Sequence, residues 1–161
     1  MAERLGLAVA AVSSRTVELA SELADGIMPF LWSAERVRKS KVWIDRGRAK
    51  ASGLGTVDMT LGLPTFVGDD VKEMREAARA NLGLYTTFPF FQRLFRASGF
   101  ASEADQMEKG GGGAALSDRM LDAVCLTGPM RAAGNSSGRF AAPASTCRSS
   151  SPRSVSTARA A

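Results

Sequence analysis

The 161-residue chain contains no histidine. That removes a Ser-His-Asp triad, a zinc-protease motif and every imidazole metal site from consideration. Cysteine is scarce as well: Cys125 and Cys147 are not spaced as a zinc-binding pair. Cys125 lies in the apolar run Ala123-Val124-Cys125-Leu126, where a small core residue is expected. No stretch of 18 or more apolar residues occurs and the first residues show no cleavage-site pattern, so the sequence predicts a soluble, cytoplasmic chain without a membrane interaction. Acid is missing from one region only. From Arg131 onward there are five arginines, Arg131, Arg139, Arg148, Arg153 and Arg159, and no Asp or Glu, and these account for the whole excess of 21 Lys plus Arg over 16 Asp plus Glu. The rest of the chain is neutral. Because Phe140 is the tail's one aromatic, the interleaving of cations and stacking rings that a nucleic-acid surface needs is lacking, and no nucleic-acid partner is expected.

What is present is an alternation of strand and helix patterns. Residues 5–12, LGLAVAAV, form a nearly unbroken apolar run, as in a parallel-sheet strand covered on both faces. Val17, Ala20 and Ala24, with Leu19 and Leu23 beside them, then recur at helical spacing while Glu18 and Glu22 point outward. A second strand is expected over the apolar stretch that ends at Trp32. Ser33 opens a basic helix that runs until Gly53 and Gly55. Val57, Met59, Leu61 and Leu63 alternate with polar or small residues as a third strand, and Pro64 interrupts pairing. Asp69 or Asp70 starts a further helix with Val71, Met74, Ala78 and Leu82 on one stripe. Strands that alternate with helices in this way pair in parallel through right-handed crossovers.

Chemistry is concentrated in the turn Ser13-Ser14-Arg15-Thr16 between the first strand and helix. A helix N-terminus offers unpaired N–H groups and a positive dipole, hydroxyls add donors and Arg15 adds charge, so a phosphate fits there. A serine that merely caps the helix fits the same residues. Phe30 and Trp32, at the end of the second strand, line either a pocket or the core. Aromatics at 85, 88, 91 and 95 share one side of a helix if Pro89 lies in its first turn, which suits core or interface packing. The four glycines 110–113 have neither the preceding strand nor the following Lys-Ser/Thr of a phosphate loop and read as a flexible break. Residues 117–126 suggest a last short helix, closed by Gly128 and Pro129.

The stretch VAAVSSRTVELASELADGIMPF resembles the middle of the luciferase-like flavin-dependent oxidoreductases, a (β/α)8-barrel family that includes deazaflavin-dependent reductases. The resemblance implies that Ser13 and Thr16, with Ser14 and Arg15 between them, hold the phosphate of FMN or of the deazaflavin coenzyme F-420. It further implies hydride transfer or oxygen activation on a small-molecule substrate, and a homo-oligomer in the intact family member. Val12 departs from the luciferase pattern, which has a carboxylate there, and brings the chain nearer the deazaflavin branches. A complete barrel needs about 250 residues. The expectation is therefore an α/β chain that forms a partial (β/α)8 TIM barrel, about strands five to seven with their helices, over residues 1–130. Catalytic groups would lie in the missing first half, so no catalytic residue is assigned. The alternative is a non-catalytic half-barrel that depends on a partner.

Beyond Pro129 the sequence turns to Ala, Ser, Arg, Gly and Pro without hydrophobic period, which predicts disorder over 131–161. Back-translated one base out of frame, residues 134–137 can read Arg-Glu-Gln-Leu and residues 143–150 can read Gly-Val-Asp-Leu-Pro-Ile-Leu. Both resemble words that the family places in its next helix and strand, so the tail is expected to be frameshifted.

Overall fold

The computed structural model describes residues 6–129. The expected disordered tail, 131–161, lies outside the described residues. Within them, strands and helices alternate: β1 (Ala8–Val9), α1 (Ser14–Leu23), β2 (Gly26–Ile27), α2 (Ala34–Arg48), β3 (Asp58–Met59), β4 (Thr65–Val67) and α3 (Val71–Leu82). A 3-10 turn (Gly83–Thr87), α4 (Pro89–Ala97), α5 (Ala101–Glu108), a second 3-10 turn (Gly112–Ala115), α6 (Asp118–Val124) and β5 (Leu126–Gly128) follow. Four of the helices start as polar caps dictate: the side chains of Ser13, Ser33, Asp70 and Ser117 accept backbone N–H groups of the first turns of α1, α2, α3 and α6. Pro89 opens α4, the position where its missing N–H costs nothing.

All pairings are parallel. β1, β2 and β3 form one sheet in that order, with Ala8 beside Gly26 and Gly26 beside Asp58. Gly26 is a glycine for a reason: a Cβ there would stand 2.9 Å from the Asp58 carbonyl oxygen. The chain after β3 bridges Phe30 through Gly62, then turns its other edge outward at Pro64, whose carbonyl accepts the Leu126 N–H at 2.9 Å. From there β4 pairs with β5, Thr65 beside Leu126 and Val67 beside Gly128. One bent segment, 58–67, thus joins two sheets into a sector of barrel wall. The sequence pattern does not separate β4 from the loop after Pro64, and the helix expected over 117–126 ends at Val124 with Leu126 opening β5, because three-residue strands are too short to show a period.

Two expectations about burial are corrected. The first strand is not covered on both faces: residues 6–10 are exposed, Leu7 at 55%. β1 has a neighbour on one edge only, and a sector of wall cannot close on itself to supply an inner face. On α1, Leu19 and Leu23 are exposed, at 54% and 63%, whereas Ser21 is fully buried beside Val17 and Ala20. The cause is α2, whose Gly47 lies against the Glu18 carbonyl and the Ser21 Cβ and so fixes which face of α1 is covered. Elsewhere the core follows the pattern. Ile27, Trp32, Val37, Ile44, Leu82, Phe91, Phe95, Met120 and Leu121 are buried in one cluster. Tyr85 packs edge-on to Phe91 at 5.1 Å, while Phe88 stays exposed. The glycine run is packed in part: a Cβ on Gly113 would meet the Arg79 carbonyl at 2.5 Å, whereas Gly110 and Gly112 have open space.

Candidate functional site at the start of the first helix

The four residues singled out in the sequence stand where β1 hands over to α1, at the C-terminal end of a parallel strand, which is where barrel enzymes place their ligand sites. Ser13 is the N-cap. Its Oγ accepts the Thr16 N–H at 3.1 Å, and Thr16 Oγ1 accepts the Ser13 N–H at 3.0 Å, so the two side chains form a reciprocal capping box. Thr16 Oγ1 also lies 3.0 Å from both the Ser13 carbonyl and Ser13 Oγ. With the Thr16 hydroxyl hydrogen donated to that carbonyl, the Ser13 hydroxyl is the donor in the contact between the two oxygens. The N–H groups of Ser14 and Arg15, and the Ser14 hydroxyl, have no partner among the described residues. Capping is therefore present, and it leaves three free donors at the helix start.

The turn is divided between two sides. Ser13 and Ser14 border a cavity of about 280 Å³ together with Arg36, Phe90, Arg93 and Leu94. Arg15 and Thr16 border a different, more open depression with Glu18, Glu22 and Lys50. There the Lys50 ammonium donates to Glu18 at 2.5 Å and holds its carboxyl below the usual range. The backbone of Arg15 belongs to the helix start, but its side chain does not share the cavity of Ser13 and Ser14.

Phe30 and Trp32, the other two candidates, are packing residues in this structure. Phe30 is half-buried against Tyr85 (5.4 Å) and Phe91 (6.4 Å), and Trp32 is fully buried. What sequence reasoning missed is Arg36. Its guanidinium lies over the Trp32 ring at 5.1 Å and the Trp43 ring at 5.3 Å, and its Nη2 donates to the Val12 carbonyl at 2.8 Å. Burial pushes its pKa down. A signal was available: Arg36 is a cation in the first turn of a helix, where the dipole disfavours it, and Trp43 follows it seven residues on, on the same face. Among the described residues no group of three or more acidic or cysteine side chains is placed to hold a metal ion. No helix among them is long and apolar enough to cross a membrane.

A family model described as luciferase-like monooxygenase matches residues 5–136. Among solved structures, the coenzyme F-420-dependent tetrahydromethanopterin reductase from Methanopyrus kandleri superposes with a TM-score of 0.64 at 14% sequence identity. The superposition covers 84% of this chain and 42% of that one, so the chain spans about two fifths of the reductase's length. At that identity the likeness is one of fold. No curated protein matches by sequence.

Proposed function

The chain belongs to the luciferase-like monooxygenase family, and from that premise we propose that it is part of an oxidoreductase that works with FMN or a 5-deazaflavin such as coenzyme F-420. The observation that carries the proposal is the hydroxyl-rich capped turn at the mouth of β1, with the N–H groups of Ser14 and Arg15 unpartnered. These residues suit a cofactor phosphate: two amides and the Ser14 hydroxyl donate to it, and the positive end of α1 favours its charge. Such a cofactor, once bound, supplies hydride transfer or oxygen activation. The chain's own share is to bind and orient. The substrate is a small molecule and the setting cytoplasmic in this reading.

Replacing Ser13 and Thr16 together by Ala tests it on the full chain. Removing the capping box that shapes the turn is expected to weaken FMN binding by about 0.5–1.5 kcal/mol for each donor that loses its hold on the phosphate. The lost cap costs about 1 kcal/mol of folding stability under either reading, and a turn that only caps would leave the FMN dissociation constant unchanged. That second pattern refutes the cradle.

One set of observations favours a second reading. Leu7, Val9, Met28 and Val67, on or beside β1, β2 and β4, are exposed apolar side chains at the wall. A chain that functions only when another polypeptide, or a second copy, completes the wall would cover them. Under this reading the purified chain associates; a monomeric size-exclusion peak together with a cooperative melt speaks against it.

A further inference from the structure

We infer that Arg36 and Arg93 complete a phosphate-group site that the turn at Ser13 begins, in the cavity enclosed by the starts of α1 and α2 and by α4. The inference rests on the phosphate reading of that turn and extends it to two cations from elements far along the chain. Arg36 is only 8% exposed. One of its nitrogens, Nη2, is taken up by the Val12 carbonyl, while its Nε is buried without a partner. Among the described residues no carboxylate pairs with it, although Arg75, Arg79, Arg96 and Arg119 each have one. A buried guanidinium with unsatisfied donors is costly, and its position in the first turn of α2 adds an unfavourable dipole. The two indole faces offset part of that cost but cannot accept its N–H bonds. An anion in the cavity would offset its charge.

Arg93 lines the same cavity from α4 and has no carboxylate partner among the described residues either. Ser13 and Ser14, at the start of α1, border it with the two arginines. Every polar side chain bordering the space is a donor or can act as one, and no acidic side chain borders it. A planar guanidinium fork matches phosphate oxygens better than any other side chain does. Arg36 also holds the Val12 carbonyl immediately before Ser13, so the residue that would meet the anion also positions the turn.

The same donors would serve a phosphate ester on a flavin and free phosphate, and the test separates these sources. Trp32 and Trp43, both against Arg36, are the chain's only tryptophans, so their fluorescence reads the site directly. The full chain is titrated with inorganic phosphate at ionic strength held constant by sodium chloride, and by flavin anisotropy with FMN and with riboflavin, which lacks the phosphate. A saturable phosphate response is expected. Arg93→Gln, an exposed position that should not disturb folding, is expected to weaken it about 3- to 10-fold, and Arg36→Lys about 10-fold or more. FMN should bind more tightly than riboflavin, and Arg93→Gln should narrow that gap. No saturable response, or wild-type affinities in Arg93→Gln, overturns the inference whether or not Arg36→Lys folds. If the Ser13 and Thr16 double variant loses FMN affinity while Arg93→Gln keeps it, the cradle stands and the arginine site falls. Arginine-dependent phosphate binding without preference for FMN over riboflavin upholds the site and identifies free phosphate as its ligand.

Discussion

Substituting Ala for Gly47 is the sharpest test of how the helix layer is built. Gly47 lies inside α2, where glycine is about 1 kcal/mol worse than alanine, so propensity alone predicts that Gly47→Ala stabilises the chain. Packing predicts the reverse. The added methyl would collide with the Glu18 carbonyl oxygen and carbon of α1 and come within 2.8 Å of the Ser21 Cβ. These atoms are backbone or the root of a side chain, so no rotamer change relieves the contact, and α1 must move away from α2. Overpacking of this kind costs about 1–3 kcal/mol, and the immovable partners place it toward the upper end. After the propensity gain, a net loss of about 1–2 kcal/mol remains, which lowers the melting temperature by about 3–10 °C for a body of this size. Circular dichroism melts of the full chain measure it. Gly55→Ala is the control, since nothing lies within 4 Å of a Cβ there. A melting temperature for Gly47→Ala at or above wild type would refute the close contact of α1 and α2.

Burial, with a smaller contribution from Asp122, pushes the Cys125 thiol up to about 12. A raised value in the folded state means stability that is full below the thiol's ordinary range near 9 and is lost as pH climbs from there toward 12, since only the unfolded thiol ionises in that window. Urea unfolding should therefore show wild type losing about 1.4 kcal/mol more than Cys125→Ala between pH 8 and pH 10; parallel losses would contradict this. Arg75 on α3 donates to Asp118 at 3.0 Å and to Asp122 at 2.8 Å, tying α6 and the β5 that follows to α3. Because the pairs are partly exposed, Arg75→Ala should cost only about 1 kcal/mol, with most of the difference from wild type gone in 1 M salt. A cost that persists unchanged in salt would assign the effect to packing of the arginine stem.

Legibility in the sequence followed the length of each signal. α1, α2 and α3 were readable because a cap and a stripe repeat over ten or more residues: Ser13, Ser33 and Asp70 stand at their starts as expected. The strands that carry the wall are two or three residues long, so β4 and β5 left no period to read, and Pro64 looked like a stop when it is the point where pairing changes sides. Which face of α1 is buried could not be read either. Leu19 and Leu23 are better core residues than Ser21, and the choice is made by Gly47, on another helix, through backbone contact. The Ser13–Thr16 capping box was visible in the residue types, whereas the cavity beside it is assembled from α2 and α4 and has no local pattern.

These observations tie the site to the helix layer more than to the sheet. β1 is held on one edge, by the Leu7 and Asp25 contacts and the bond from Met28 to Val9, and its faces are open. The segment that leads from it to Ser13 is fixed at its end by Arg36, which reaches the Val12 carbonyl from α2. α2 is in turn seated on α1 through Gly47, and α1 begins at Ser13. The loop of contacts from Ser13 along α1, across to α2 and back through Arg36 to Val12 closes on the turn itself. Its geometry therefore does not depend on the rest of a barrel wall. A change that spreads α1 from α2 would move Arg36 relative to Ser13 and loosen the turn from a distance, without touching any of its donors.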